Sequence, residues 1–288
     1  MKRMIRILCA VSFFCLGCVA CAQANIFLST YNNATLGGLS FRDGDIVEYD
    51  PVTDTATLFF NEDVIGTPPA SGAHSPNIDV FHILPNGNLV FSTTIRGNTL
   101  GAITYIYPGD LIEYNPTTGA ASLFFDHSLF AGHVSGDIDA FSILNNGNLL
   151  ISTDDYATLA GLSFEQDDLI EYNPTTGTAS VFLNGSDVFA YPNEIDAVHA
   201  LSNGNLILST ANGGIINGFH FEYDDMVEYN PTTGDVSLYF SGLLFDTTCS
   251  LIDAVYVTDS NNVVPEPSSV FLLTLGLLGA GVLRRHKS

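Results

Sequence analysis

Four copies of one unit make up most of this chain, and the incomplete pieces at its two ends complement each other. The unit is clearest from Ile138 to Gly185, where four short apolar runs follow one another: IDAFSIL, NLLIST, DLIEYN and TASVFL. β-Branched and aromatic residues fill these runs and turn residues separate them, so each reads as a strand. Asn146-Gly147 joins the first run to the second, a dipeptide that marks a tight hairpin. Asn173-Pro174-Thr175-Thr176-Gly177 joins the third to the fourth; Pro presets φ for a turn that Gly177 can close in the left-handed region. One unit is a four-stranded antiparallel meander.

The opening of its first strand recurs as Ile78-Asp79, Ile138-Asp139, Ile195-Asp196 and Ile252-Asp253, at spacings of 60, 57 and 57 residues. The Glu-Tyr of its third strand recurs as Glu48-Tyr49, Glu113-Tyr114, Glu171-Tyr172 and Glu228-Tyr229. A period of this size belongs to a solenoid, an array or a propeller. The ends decide between them. Asn25–Thr30 matches a second strand with no first strand before it, and Ile252–Val257 matches a first strand with no second after it. A ring would join the two, whereas a linear stack would gain nothing from them. The predicted fold is therefore all-β: a four-bladed β-propeller of four repeats of about 58 residues, closed by pairing of the N-terminal and C-terminal strands. A signal helix precedes it and a hydrophobic helix follows it.

Residues 1–24 read as a signal peptide. Lys2, Arg3 and Arg6 form a positive start, Ile7–Ala20 is apolar, and Ala22-Gln23-Ala24 suits small-residue cleavage. Lipoprotein processing at Cys18 or Cys21 is the rival reading, but Cys15 and Cys18 stand where leucine is usual three residues earlier. Removal of this segment takes Cys9, Cys15, Cys18 and Cys21 with it. Cys249 alone remains, so no intrachain disulfide is expected in spite of an oxidising destination.

Residues 25–263 read as one domain, without a Pro/Ser/Gly-rich linker. Three of the eight Lys and Arg lie in the signal and three in the tail, which leaves Arg42 and Arg96 against thirty of the 31 acids, a formal balance of −28. Self-repulsion of that size disfavours a compact state unless cations screen or bind it. Nucleic acid is excluded as a partner, because its phosphates require Lys and Arg.

Residues 264–288 begin with Val264-Pro265-Glu266-Pro267, continue through apolar Val270–Leu283, and end on Arg284-Arg285-His286-Lys287. The apolar run is short against the roughly 20 residues of a bilayer span, and the cations after it would stay cytoplasmic. With its Pro-Glu-Pro box, short apolar helix and Arg-rich end in that order, this segment resembles a PEP-CTERM sorting signal. The resemblance implies handling by an exosortase, a membrane enzyme that cleaves near the box, with the C-terminal helix holding the protein in the membrane before processing. It also implies a Gram-negative bacterium that makes extracellular polysaccharide, and a destination at its surface or in a biofilm matrix. A plain membrane anchor is the alternative.

Strand direction gathers the tight turns on one face of the domain and the long, variable connections on the other, where binding loops belong. Leu162-Ser163-Phe164 and Leu39-Ser40-Phe41 allow an extra short strand inside those connections. Carboxylates collect on the long-loop face. Asp79, Asp139, Asp196 and Asp253 open the first strands, which line a propeller's axis; Asp45, Asp110, Asp168 and Asp225 open the third strands. The pairs Ser29-Thr30, Ser92-Thr93, Ser152-Thr153 and Ser209-Thr210 close the second strands at the same level. Two roles fit. The acids and hydroxyls can hold Ca²⁺, which takes six to eight oxygens. Alternatively each Asp accepts bonds from Ser/Thr hydroxyls or backbone N–H of the next strand and pins blade to blade, a role that fourfold repetition favours.

Catalytic residues are not expected. Paired carboxylates serve glycosidases when two environments push their pKa values apart, and these acids have near-identical settings. His82, Ser142, His199 and Tyr256 share one slot, which strict alternation puts on the face opposite the Asp. Half-buried packing is the plainer role for that slot, metal binding or proton shuttling the sharper one. No GxSxG, Cys/His pair, P-loop or dinucleotide fingerprint occurs. The third-strand tyrosines suit the inter-blade core better than sugar stacking. The expected protein is an exported, non-catalytic binding or structural propeller, with calcium as a candidate cofactor and an extracellular glycan or protein as ligand. The alternative is a calcium-dependent polysaccharide hydrolase or lyase.

Overall fold

A computed structural model describes residues 24–66, 76–131, 137–246 and 251–258. Ala22, all five cysteines, His74, His133 and the sorting residues Val264, Pro265, Glu266, Pro267, Arg284 and Arg285 lie outside the described residues, as do the expected signal and tail helices.

Four four-stranded antiparallel sheets form the blades of a propeller. The innermost strands are Ile252–Val257, Phe81–Ile83, Ile138–Ile143 and Ile195–Ala200, in blades 1 to 4. The second strands are Ile26–Thr30, Leu89–Phe91, Leu149–Thr153 and Leu206–Thr210; the third are Ile46–Asp50, Leu111–Asn115, Leu169–Asn173 and Met226–Tyr229. Thr55–Phe60, Ala120–Phe125, Thr178–Leu183 and Val236–Phe240 lie outermost. Blade 1 is composite, as the ends of the sequence require: Ile26–Thr30 pairs with Ile252–Val257, and Asn25 N donates to Thr258 Oγ1 at 3.0 Å.

Both faces of an inner strand press on neighbouring blades, so Ile26–Thr30, Leu149–Thr153 and Leu206–Thr210 are buried along their whole length. Outermost strands leave every position but the last exposed or half-buried and bury that last residue. That last residue meets the third-strand tyrosine of the next blade. Phe60–Tyr114, Phe125–Tyr172 and Phe240–Tyr49 have ring centroids 5.8, 5.7 and 5.9 Å apart, and Leu183 shares a cluster with Tyr229. Burying such a side chain contributes about 1.5–3 kcal/mol, so these contacts help to hold neighbouring blades together.

Turn chemistry follows the sequence, with one difference. Gly147 N donates to Leu144 O and Leu144 N donates to Asn148 O, so the hairpin is a three-residue loop with only Gly147 left-handed, at φ 82°. The Asn146 side chain accepts from Asn148 N and fixes that loop. In the Asn-Pro-Thr-Thr-Gly turn, Asn173 Oδ1 accepts from Thr175 N and Thr176 N, and Gly177 closes it at φ 67°. Blade 1 puts Asp54 in that strained position at φ 52°, held by the Tyr49 hydroxyl at 2.9 Å.

The extra strand expected in the long connections is a two-stranded hairpin in all four repeats: Ala34–Leu36 with Leu39–Phe41, Asn98–Leu100 with Ile103–Ile106, Ala157–Leu159 with Leu162–Phe164, and Gly214–Ile216 with Phe219–Phe221. Each hairpin takes a bridge from the segment after the previous blade's outermost strand: Gly66 to Thr99, Phe130 to Leu159, Phe189 to Ile216, and Phe245 to Leu36. The last bridge runs from blade 4 to blade 1, so the ring closes a second time at its periphery.

Candidate functional site

Three of the four innermost strands carry a β-bulge at the aspartate; in blade 2 the strand begins at Phe81, beyond Asp79. Ile138 pairs with Thr153 and Ala140 with Ser152, which leaves Asp139 as the extra residue; Asp196 and Asp253 are skipped in the same way. A bulge breaks the period of two. It therefore corrects the expectation that the Asp and the residue three further on point to opposite faces, because both converge on the axis.

At the long-loop end, Asp79, Asp139, Asp196 and Asp253 meet in one cavity of about 260 Å³. Above them, the residue after each Ser-Thr pair lines the rim: Tyr31, Thr94, Asp154 and Ala211. Each of these donates its N–H to the carbonyl of the residue before the Ile-Asp pair, namely Leu251, Asn77, Asp137 and Glu194, at 3.1–3.2 Å. The ring of four Asp is thus symmetric, and the tier above it is not. Blades 1 and 2 supply neutral Tyr31, Leu251, Thr94 and Asn77, whereas blades 3 and 4 supply Asp137, Asp154 and Glu194.

Burial dominates the electrostatics. Asp79 is 5% exposed and Asp253 8%, and burial holds both carboxyls well above the usual range, with the Asp137 charge adding to the first and the Asp196 charge to the second. Asp139 is raised for the same reason, with Glu194 as its hydrogen-bonded neighbour. Burial raises Asp137 to about 7, helped by Asp154, and Asp196 to about 7, helped by Glu194. Burial and Glu194 raise Asp154 to about 6. Asp79 Oδ1 accepts from Val80 N at 3.0 Å, and Asn77 donates to Asp253. Asp79 Oδ2, Asp253 Oδ2, Asp137 Oδ1 and Asp154 Oδ1 are buried without a donor, and the Asp79 and Asp137 carboxyls adjoin each other, a costly condition that a bound cation or water would relieve.

The donor set suits a hard cation. Carboxylate oxygens of Asp139, Glu194 and Asp196 all lie within 4.8 Å of one another. Oxygens sharing one Ca²⁺ at about 2.4 Å can be no further apart than about 4.8 Å. Among the described residues, no lysine or arginine lines the cavity.

Asp45, Asp110, Asp168 and Asp225 are not brought to the axis. In each, Oδ2 accepts from the backbone N–H three residues earlier: Arg42, Tyr107, Glu165 and Glu222. Each Oδ1 accepts from the first residue of the short helix after the outermost strand: Glu62, His127, Gly185 and Gly242. These four aspartates tie strand to helix within a blade. Blade-to-blade pinning exists, but by a different route from the one expected: Ser29 Oγ donates to Ile78 O and Ser209 Oγ to Ile252 O, rather than to carboxylates. Blade 2 adds a local cluster in which His127 Nδ1 lies 2.9 Å from Asp110 Oδ1 and 3.6 Å from Asp126 Oδ1, under the stacked ring of Tyr107.

Deeper along the axis, His82, His199 and Tyr256 pack with ring centroids 4.7–5.9 Å apart. Burial lowers His82 to about 3, so it is neutral there. Asp137, Asp154 and Glu194 are the site residues that the repeat pattern did not single out. The available signal was positional: they flank the Ile-Asp and Ser-Thr pairs.

No curated protein matches the chain significantly. Among solved structures, it is similar to a protein of unknown function from Bacteroides caccae, at 11% identity over 82% of this chain and 98% of that one, with a TM-score of 0.42. It is also similar to the hemopexin fold protein CP4 from cow pea, at 13% identity over 79% and 89% with a TM-score of 0.37, and to virginiamycin B lyase from Staphylococcus aureus, at 7% over 75% and 73% with a TM-score of 0.33. At these scores no function passes to this chain. Residues 263–285 match the PEP-CTERM protein-sorting motif, which makes this an exported bacterial propeller protein sorted to the cell surface by an exosortase.

Proposed function

We propose that the propeller is a non-catalytic binding and structural module of the extracellular matrix, and that its acidic mouth holds calcium. The observation that carries this reading is the pair of buried, unpartnered oxygens Asp79 Oδ2 and Asp253 Oδ2, on residues that line the same cavity as Asp139, Glu194 and Asp196. Calcium would pair these oxygens and offset part of the repulsion in a strongly acidic domain. Asymmetry of the upper tier concentrates charge at blades 3 and 4, so Asp139, Glu194 and Asp196 are the expected first ligands.

The same asymmetry is what favours the second reading, a polysaccharide hydrolase or lyase. Acid–base work on a glycoside needs one carboxyl kept protonated and another kept ionised. Here burial drives every resolved shift in the mouth upward, which suits a shared counter-ion better than a divided pair.

Calcium titrated calorimetrically into EDTA-treated protein tests the proposal. A saturable heat is expected, together with a rise in thermal midpoint. At a hundred times Kd the ion stabilises by about 2.7 kcal/mol. Both responses should disappear in Asp139→Asn/Asp196→Asn. Wild-type protein showing neither heat nor shift would refute the calcium site.

A further inference from the structure

Blade 4 departs from the repeat at one place on the long-loop face. Its hairpin is entered through Gly213-Gly214, where blade 1 has Asn33-Ala34 and blade 3 has Tyr156-Ala157. A Cβ on Gly214 would stand 2.6 Å from the Phe221 ring, so an alanine as in those blades would require that ring to move. Asn193 lies against this glycine pair, 6% exposed. Its Nδ2 donates to Gly213 O, and its Oδ1 is buried without a partner. The outcome is a cleft of about 320 Å³ whose lining includes Tyr191, Asn193, Asn212, His220 and Phe221.

We propose that this cleft seats one neutral pyranose ring of a glycan ligand, a proposal that rests on reading this face as the binding face. Four features argue for a sugar. Tyr191, 71% exposed, offers a ring on which the C–H face of a pyranose can lie. Asn193 Oδ1 is an acceptor in need of an O–H or N–H donor, which an apolar ligand would leave unsatisfied. The Asn212 amide and the His220 ring supply donors and acceptors at the mouth of the cleft. The volume is at the low end of the roughly 300–1,000 Å³ of small-molecule sites, enough for one ring rather than a chain.

Charge selects a neutral sugar. Among the described residues no lysine or arginine lines the cleft, and Asn193 and Asn212 adjoin Glu194 and Ala211, which line the acidic mouth. A uronate would meet the unpaired acceptor Asn193 Oδ1 and no lysine or arginine to offset its charge. The sugar and calcium sites are therefore neighbours with separate ligands.

Saturation-transfer NMR on the full-length protein tests this, with the methyl glycosides of glucose, galactose, mannose and N-acetylglucosamine, and with glucuronate, each in calcium and in EDTA. At least one neutral glycoside should show transfer, weakened tenfold or more in Tyr191→Ala, retained in Tyr191→Phe, and retained in Asp139→Asn/Asp196→Asn. Gly214→Ala, if folded by circular dichroism, should lose it as well. Transfer from no neutral glycoside, from glucuronate alone, or equally from wild type and Tyr191→Ala would overturn the sugar site while leaving the calcium heats standing. Loss of the calcium heats with glycoside transfer intact would instead sink the cation reading and leave this one in place.

Discussion

Asp168 has both carboxylate oxygens on backbone N–H groups, from Glu165 and Gly185, while Asp139 sits on a bulge beside Glu194 and Asp196. The same side chain is a fastener in one position and an unsettled charge in the other. Burial without a counter-charge favours the protonated acid, and the consequence for stability has a definite sign. An unfolded aspartate titrates near 3.9, whereas Asp154 is raised to about 6 and Asp137 and Asp196 to about 7. Between those values the folded state binds more protons than the unfolded one, so stability falls as pH rises. The contribution is complete below about pH 4 and is lost as pH rises through about 6 to 7 and beyond. In EDTA the thermal midpoint should therefore be higher at pH 5 than at pH 7.5. In calcium this difference should shrink or invert, because the cation needs ionised ligands. Asp137→Asn/Asp154→Asn/Asp196→Asn should flatten the EDTA profile; a wild-type midpoint unchanged from pH 5 to 7.5 would show that the mouth carboxyls are not perturbed.

Among the elements, the short helix and the third strand depend on one another through the fastening aspartate. Asp168→Ala removes two acceptors and should cost about 1–3 kcal/mol in denaturant unfolding. Asp168→Asn keeps one acceptor and should cost less, and calcium affinity should not change in either. A fall in calcium affinity would return this residue to the metal site. Repetition made the strands, their turns and the four axial aspartates legible, because identical packing problems recur at identical positions. It hid the bulge, since Ile-Asp-Ala looks like ordinary alternation until Asp139 is found without a partner across the ladder. It also hid the upper tier. Asn77, Asp137, Glu194 and Leu251 share one position but are four different residue types, and a pattern sought in common letters passes over the place where the letters differ. The fastening set was legible as four aspartates, but not in its role, because its partners are backbone N–H groups up to seventeen residues away.

For the whole molecule, ring closure decides whether four marginal sheets make one cooperative unit. Ile252, Val255 and Val257 lie in a single cluster with Ile26 and Leu28 of their own blade and with Ile207, Met226 and Phe240 of blade 4. Removing the three would forfeit burial of roughly 1.5–3 kcal/mol each, and the sum rivals the 5–15 kcal/mol of a whole domain. It would also leave Ile26–Thr30 as an unpaired edge, a template for aggregation. The bridge from Phe245 to Leu36 is too slight to hold the ring alone. Deletion of residues 252–258 should therefore give an insoluble or unfolded chain. Moving the seam should not. Asn25 and Thr258 are hydrogen-bonded neighbours, so a circular permutant that joins residue 258 to residue 24 by a short Gly-Ser linker, with new ends in the exposed Asn145–Gly147 loop, keeps every strand pair intact. It should melt within a few degrees of the same unpermuted segment and bind calcium with the same affinity. If the deletion proved as stable as the parent, closure would be incidental and the blades self-sufficient. If instead the permutant failed to fold while the parent segment folded, the order in which blades join would matter, and the composite blade would be needed for assembly as well as for stability.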